Sequence, residues 1–273
     1  MKKLLISAIL AVLLAVCVIA EQPKSDEDAS CCQAGASEES CPNAHQVDQI
    51  LEQLYAKTSG IKSYEALVEY TTRQPLLESK SVRKGVLYYA RFGERSKLRL
   101  NFKTLKQDDA EEDKYVEHYI FDGIWLTQLN YQTRTPTKYQ VSESNKPVDA
   151  FEAANQTLPM VGFMEPNAIK KEFEVERVDQ KDDKREGFVQ LHLKVRPNSK
   201  YKDDYLTVDF WVDQQTGLPS RVMAVSTEED IYELRFLKPK IDKGIDEKVF
   251  DFKIPEGFSE AEIVPLKKKD KAG

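Results

Sequence analysis

The sequence predicts a mainly β fold (α+β): one strongly curved, incomplete antiparallel β-barrel of about eleven strands, closed by short helices. Three observations support this prediction. Many segments alternate between apolar and polar residues, turn signals separate them, and one amphipathic segment precedes them. With 273 residues and 41% hydrophobic side chains, the chain can bury one sizeable core.

An amphipathic helix is predicted before the first strand. Asn43 has the chemistry of an N-cap, Gln46 follows three residues later, and Gly60 ends the pattern. The apolar residues that fall on one face are Val47, Ile50, Leu51, Leu54 and Tyr55. This helix either covers the sheet or forms a lid over a ligand, and the sequence leaves both roles open.

Strands are predicted from the period-two alternation that starts after this helix. Two of them are defined by the alternating residues Tyr64, Ala66, Val68 and Tyr70 and by Leu98, Leu100 and Phe102. The others are Val82–Arg91, Tyr115–Phe121, Ile124–Tyr131, Thr137–Ser142, Glu172–Val178, Gly187–Val195, Tyr205–Val212, Pro219–Ser226 and Ile231–Leu237.

Two turn signals fix hairpins within this pattern. Asp122-Gly123 separates two predicted strands and is a strong short-range hairpin signal. The loop that begins at Asp213 places Gly217 where a positive φ is needed before Leu218-Pro219. We expect the whole segment from Asp213 to Phe258 to form the last wall of the sheet.

A long break in the alternation, between Ser142 and Glu172, predicts short helices instead. It contains an Ala- and Glu-rich patch, Asp149–Asn155, and an apolar cluster bounded by Pro159 and Pro166. The cluster consists of Leu158, Met160, Val161, Phe163 and Met164. Such a cluster either plugs the mouth of a cavity and adapts to a ligand, or packs as an ordinary crossover.

The N-terminus has the pattern of a secretory signal peptide over residues 1–20. Lys2 and Lys3 precede an apolar run, and a small-residue site ends at Ala20. Two alternatives remain: a retained membrane anchor, and lipidation at Cys17, where Leu14 to Cys17 resembles a degenerate lipobox. We therefore expect a periplasmic protein, with a lipid-anchored form at Cys17 as the alternative.

An acidic, cysteine-containing linker is predicted over residues 21–42, a single domain over 43–265 and a basic tail over 266–273. In an oxidising compartment Cys41 is expected to pair with Cys31 or Cys32, which leaves one thiol over. The cysteines lack the spacing of a metal or redox site, so no metal and no cofactor are expected.

Charge and motifs exclude several functions. A net charge of -6 and a pI near 5.4 argue against a nucleic-acid groove. No local catalytic motif is present, and His45, His118 and His192 lie far apart in sequence. A hydrolase with a dispersed carboxylate pair remains the remote alternative, because such pairs have no local signature. An aromatic-rich, curved sheet instead favours an apolar hollow for acyl chains.

In its order of motifs, the chain resembles the LolA-type outer-membrane lipoprotein carriers across most of the range from Gln46 to Pro265. The matching segments are Ile61-Lys62-Ser63-Tyr64, Gly85-x-Leu87-Tyr88, Phe121-Asp122-Gly123-x-Trp125-Leu126, the loop from Asp213 to Pro219, and Phe250-Asp251-Phe252-x-x-Pro255-Glu256-Gly257. The resemblance implies a noncatalytic periplasmic carrier that shields acyl chains of lipoproteins or related lipids between the two membranes. An envelope regulatory or structural module that binds a protein is the alternative on the same fold.

The resemblance also implies site residues and partners. Arg91 falls where such carriers have an arginine that holds a helical lid. Here Phe92-Gly93 follows it instead of the usual proline, so an ordinary strand-end arginine is the competing interpretation. The residues expected to line or cover the cavity are Tyr89, Arg91, Leu98, Leu100, Phe102, Trp125, Leu158, Met160, Phe163 and Met164. The implied partners are an inner-membrane release complex and an outer-membrane acceptor, and the protein is expected to be a monomer.

Overall fold

A computed structural model describes residues 42–93, 95–154, 164–178 and 187–266. They form one twelve-stranded sheet in the order β12-β6-β5-β4-β3-β2-β1-β11-β10-β9-β8-β7. Every neighbouring pair is antiparallel except β12 and β6, which run parallel. The predicted mainly β, curved and incomplete barrel is confirmed, because the sheet does not close on itself.

The strands are β1 (Ser63–Gln74), β2 (Ser79–Phe92), β3 (Arg95–Gln107), β4 (Asp113–Phe121), β5 (Trp125–Asn130), β6 (Thr135–Gln140), β7 (Phe173–Val178), β8 (Phe188–Val195), β9 (Tyr205–Asp213), β10 (Leu218–Ser226), β11 (Ile231–Ile241) and β12 (Glu262–Val264). The helices are α1 (Pro42–Ser59), α2 (Ala150–Ala154) and α3 (Pro166–Glu172), with 3₁₀ turns at Pro75–Leu77 and Glu247–Phe250. All eleven predicted strands are present, and β12 was not predicted.

Strand β1 lies at the centre of the sheet, between β2 and β11. Tyr64 is paired with Tyr89 on one side and with Ile241 on the other. The sheet therefore consists of two antiparallel meanders, β1 to β6 and β7 to β11, which meet along the β1–β11 seam.

The sheet bends at Gly85. The register between β2 and β3 shifts between Lys84 and Gly85, and that between β3 and β4 shifts between Phe102 and Thr104. A Cβ on Gly85 would lie 2.2 Å from the carbonyl oxygen of Asn101. Since backbone approaches so closely here, only glycine fits, and the local bulge increases the bend.

Helix α1 packs against β7, β10 and α3 through the apolar face that the sequence predicts. Leu51 and Leu54 are fully buried there. The helix begins at Pro42, so Asn43 lies inside its first turn and the expectation of an N-cap at Asn43 was wrong. Proline is favoured at the first position of a helix because its missing N–H has no partner there in any case. We call the sheet face that α1 covers the inner face.

The end of the chain does not form the last wall of the sheet, contrary to the sequence-based expectation. After β11, residues 243–261 run over the outer face, and we call them the strap. Arg99 of β3 donates to the carbonyl oxygens of Val249 (2.8 Å) and Asp251 (3.0 Å). Phe250 is buried against Phe92, with ring centroids 5.7 Å apart. Beyond the strap, β12 pairs with the edge of β6.

Candidate functional site

The inner face carries the apolar residues that the alternation predicts. Leu98 of β3 lies opposite both Tyr89 of β2 and Phe121 of β4, so the three side chains share this face. Phe102 is fully buried on the same face, and Leu100 packs against the main hydrophobic cluster.

A small apolar gap lies among the described residues of this face. An apolar gap beside Leu87, Phe151 and Phe236 has a volume of about 10 Å³, which is room for no more than one water molecule. A ligand with an acyl chain would therefore have to displace side chains that now fill this part of the described structure.

Helix α2 holds Phe151 in the gap. The rings of Phe151 and Tyr89 pack with centroids 4.3 Å apart. The backbone N–H of Ala150 donates to Ser96 Oγ at 2.7 Å, and that of Phe151 donates to Asp149 Oδ1 at 2.9 Å. Because α2 has only five residues, tertiary contacts rather than helix propensity keep it in place. We call residues 149–154 the plug segment.

Arg91, at the end of β2, joins the plug segment to α1. Its Nε donates to the Tyr89 hydroxyl at 2.7 Å, and its Nη1 donates to the carbonyl oxygen of Ser59, the last residue of α1, at 3.0 Å. Its Nη2 lies 3.4 Å from Asp149 Oδ2. We call Ser59, Tyr89, Arg91 and Asp149 the latch. Arg91 is thus more than an ordinary strand-end arginine, since it links two helical segments to the sheet.

Tyr89 acts as both donor and acceptor in the latch. Its hydroxyl donates to Asp149 Oδ2 at 2.9 Å while it accepts from Arg91. Burial, followed by the nearby Asp149 carboxylate, raises the pKa of Tyr89, so the hydroxyl stays protonated and able to donate.

A cleft of about 530 Å³ opens beside the latch. Phe151, Met164 and Ala168 give it apolar lining, whereas Arg91 and Lys200 supply positive charge. Its acidic residues are Asp149, Glu152 and Glu165. Phe151 also lines the apolar gap, so its side chain borders both the cleft and the gap. Apolar lining within a charged rim suits an amphiphile, whose chain and polar head need different surroundings.

The predicted site residues fall into three groups. Tyr89, Arg91 and Met164 meet at the latch and the cleft, and Leu98, Leu100 and Phe102 lie deeper on the inner face. Trp125 is half-buried on the outer face, where Lys138 Nζ lies 5.8 Å from its ring centre; its neighbour Leu126 is the one that points inward. The residues outside the described ranges are Cys17, Cys31, Cys32, Cys41, Leu158, Met160 and Phe163.

Sequence reasoning missed the residues that complete the latch and hold the plug. Asp149 and Phe151 lay within a patch noted only for its composition, and Ser59 and Ser96 carried no signal. An aspartate two residues before Phe151 is the kind of residue that caps a short helix, and this was the available clue. The partnership with Arg91 spans 58 residues of sequence and had no local sign.

Two of the three acidic residues in the cleft make hydrogen bonds or ion pairs with neighbouring side chains. Asp149 is bonded to Tyr89 and Arg91, and Glu165 accepts from Tyr55 at 3.3 Å. Across the described ranges, no three His, Cys, Asp or Glu side chains are grouped so as to hold a metal ion. Likewise, none of the helices in these ranges combines the length and apolarity needed to cross a membrane.

The fold and the site define a class: an open, curved β-sheet with helices on its inner face and a cleft with apolar and charged lining beside them. The sequence matches no family model and no curated protein. The chain is similar, however, to solved structures of LolA-like proteins. One is a LolA superfamily protein from Nitrosomonas europaea, at 13% identity and a TM-score of 0.33, with 76% of this chain and 97% of that chain covered.

Two further similar structures come from other bacteria. LprF from Mycobacterium bovis is 9% identical with a TM-score of 0.40, and the match covers 75% of this chain and 96% of LprF. MucB, in the MucA/MucB complex of Pseudomonas aeruginosa, is 13% identical with a TM-score of 0.43, at 76% coverage of this chain. The match spans only 61% of that chain. These likenesses concern the fold alone.

Proposed function

We propose that the protein is a noncatalytic carrier or binder of lipoproteins or related lipids, and that it holds their acyl chains against the inner face. The observation that carries the proposal is the latch. Arg91 bonds the last residue of α1 and the first residue of the plug segment at the edge of an apolar core. In this proposal the latch is a gate: when it opens, Phe151 leaves the gap and an acyl chain takes its place.

The energies involved make such an exchange feasible. The latch consists of a few bonds, each worth about 1 to 3 kcal/mol because some are charge-assisted. Burial of an acyl chain contributes about 0.8 kcal/mol per methylene. Roughly ten buried methylenes, at about 8 kcal/mol, therefore offset the loss of the latch and of the Phe151 contacts. A short or polar ligand gains too little to open the gate.

The proposed setting is the periplasm, reached through cleavage of the signal peptide predicted over residues 1–20. There an acyl chain must be shielded from water as it moves between membranes. A release complex in the inner membrane and an acceptor at the outer membrane are the proposed partners. Lipidation at Cys17 would instead make the protein an anchored lipid binder, and the intact mass of the mature N-terminus distinguishes the two forms.

The test is displacement of a fluorescent fatty acid from the purified protein, together with native mass spectrometry of protein recovered from the periplasm. We expect saturable binding and retained lipid. In Arg91→Leu, uptake should be about tenfold faster, because roughly 1.4 kcal/mol of latch energy is removed. Arg95→Leu is the matched control, since Arg95 is an exposed arginine at the start of β3. Absence of both saturable binding and retained lipid in the wild-type protein would refute the proposal.

A protein-binding module is the second candidate, and one observation favours it. The apolar gap is nearly full, whereas Leu67 and Leu237 lie opposite each other on the outer face and are 42% and 44% exposed. MucB, one of the proteins of similar fold, was solved in complex with MucA. A photo-crosslinker at Leu67 should capture one specific partner under this candidate, whereas at Leu206, which is 45% exposed, it should not. Equal labelling at both positions would count against it.

A further inference from the structure

Away from the latch, the inner face ends in a buried charged network. Glu117 of β4 is only 1% exposed. Its Oε2 lies 3.3 Å from Arg83 Nη1 and accepts from the Tyr115 hydroxyl at 3.3 Å, and its Oε1 accepts from Gln128 Nε2 at 2.8 Å. Arg83 also stacks on Tyr115, with Cζ 5.2 Å from the ring centre. We call these four residues the Arg83 network.

The Arg83 network belongs to the inner face and not to the outer surface. Arg83 is paired with Tyr70, and Glu117 is paired with Phe102. Tyr70 and Phe102 both belong to the main hydrophobic cluster, and directly opposite residues in antiparallel strands share a face. The charged groups are therefore direct neighbours of the aromatic residues of the core.

Strand β2 connects the latch to the network. Arg91 and Arg83 are eight residues apart on this strand and have the same parity, so both side chains project on the inner side. At ~3.3 Å per residue, about 26 Å of strand separates them. The inward residues between them are Gly85, Leu87 and Tyr89, of which two are large and buried. We call these inward residues of β2 the apolar strip, which extends from the latch to the Arg83 network.

We infer that the Arg83 network sets the maximum length of the acyl chain that the protein accepts. This inference rests on the proposed function. A chain that enters beside Arg91 gains affinity with each methylene that it lays on the apolar strip. A methylene that reaches the Arg83 network adds no affinity. It would displace water or hydrogen-bond partners from a buried ion pair and form no hydrogen bond in their place.

The network can be made apolar without leaving a lone charge. In Arg83→Met with Glu117→Leu, both partners are removed together, whereas loss of one partner would strand the other inside the sheet. A milder pair, Arg83→Met with Glu117→Gln, keeps an acceptor for Gln128 and provides a second variant should the first fail to fold. The control is Arg221→Met with Glu233→Leu. That ion pair, with 2.8 Å between Nε and Oε1, is also buried at Glu233, but it lies on the outer face. Glu233 also contacts Arg73 and Arg235, whose side chains are 42% and 37% exposed, so water solvates these two arginines when Glu233 is removed.

The experiment measures the affinity of saturated fatty acids from dodecanoic to docosanoic acid by displacement of a fluorescent fatty acid. In the wild-type protein, affinity should rise up to about fourfold per methylene and then reach a plateau. In the two network variants the plateau should move to longer acids, and in the control variant it should stay in place.

The outcomes separate the two claims. If the wild-type protein binds no acid of any length, the proposed function fails and this inference fails with it. If the wild-type protein binds but shows no plateau, or if a folded network variant keeps the wild-type plateau, only the chain-length role of the Arg83 network is overturned. Circular dichroism and urea unfolding establish which variants are folded.

Discussion

Tyr89, near the end of β2, donates a hydrogen bond at 2.9 Å to Asp149, the residue that begins the plug segment. This bond lies under the guanidinium of Arg91, which donates to the same tyrosine. Together with the bond of 2.7 Å from the backbone N–H of Ala150 to Ser96 Oγ, it attaches the plug segment to the sheet.

Tyr89→Phe should loosen the plug segment while leaving the ring packing intact. The ring still stacks on Phe151, but Asp149 loses a donor and Arg91 Nε loses an acceptor. We expect the free energy of unfolding to fall by about 1 to 2 kcal/mol. Chymotrypsin should cut after Phe151 several times faster, because the open state of the plug is more populated. Urea unfolding and timed proteolysis measure the two effects.

Tyr88→Phe is the matched control, since Tyr88 is the preceding residue and points to the opposite face. It should leave the cleavage rate after Phe151 unchanged. If both variants were cut equally fast, the Tyr89 hydroxyl would have no particular part in closing the plug.

Gly85→Ala should be one of the most destabilising substitutions in the sheet. The new methyl group would sit 2.2 Å from the carbonyl oxygen of Asn101, and backbone cannot move aside as a flexible side chain can. We expect a loss of about 3 kcal/mol or more in urea unfolding. Gly60→Ala, where the nearest atoms are 3.7 Å away, should be neutral within about 1 kcal/mol. Similar costs at the two positions would contradict the close approach at Gly85.

His118 should make the stability depend on pH. Burial, with Arg99 and Lys103 nearby, lowers the pKa of His118 from 6.5 to about 4. Between these values the unfolded chain binds a proton that the folded protein does not. The stabilisation by the neutral ring is thus fully present above about pH 6.5 and is lost as the pH falls toward 4. The shift sets an upper limit of about 3 kcal/mol, and solvent screening of the half-exposed ring reduces this to roughly 1 to 2 kcal/mol.

The measurement compares urea unfolding of the wild-type protein and His118→Asn at several values between pH 4 and pH 7, the range set by this pKa shift. Carboxylates titrate in both proteins, so only the difference between the two curves reports the imidazole. That difference should shrink as the pH falls. Parallel curves would show that His118 is not held neutral under the strap, where its ring packs on Tyr131 at 5.0 Å.

Phe250→Ala tests whether the strap is part of the folded core. Phe250 is buried against Phe92, and its loss leaves a cavity between the strap and the outer face. We expect a cost of about 3 kcal/mol in urea unfolding and faster proteolysis within residues 243–261. Ile254→Ala is the control in the same segment, because Ile254 is 42% exposed and should cost less than about 0.5 kcal/mol. Equal effects would mean that the strap is only loosely attached.

The strands could be predicted from the sequence because their signal is local. Each predicted strand needs only an alternation over a few residues, and the pairs with tight turns, such as the one at Gly217 with its positive φ, define their own neighbours. β12 could not be predicted in this way. It has three residues, and its partner β6 lies more than 100 residues earlier in the chain.

The candidate site was predicted only in part, for a related reason. Arg91 was singled out through its position after a matching strand, but Asp149 and Ser59 act through contacts that no sequence spacing encodes. Trp125 shows the opposite error: an aromatic residue beside a matching hairpin suggested the cavity, yet the strand presents Leu126 inward. A shift of one residue in the pairing of β5 with β4 would have exchanged the two faces.

Because β1 pairs with β11, the sheet can be completed only after most of the chain has been synthesised. Tyr64 meets Ile241 only after nearly the whole sequence exists, and until then one long edge of β1 offers unpaired backbone groups to any passing strand. Loop closure over such a separation is slow. A chain that is still being synthesised or translocated therefore cannot complete the sheet, and a stop codon before residue 231 would remove β11 and leave β1 unpaired on that side.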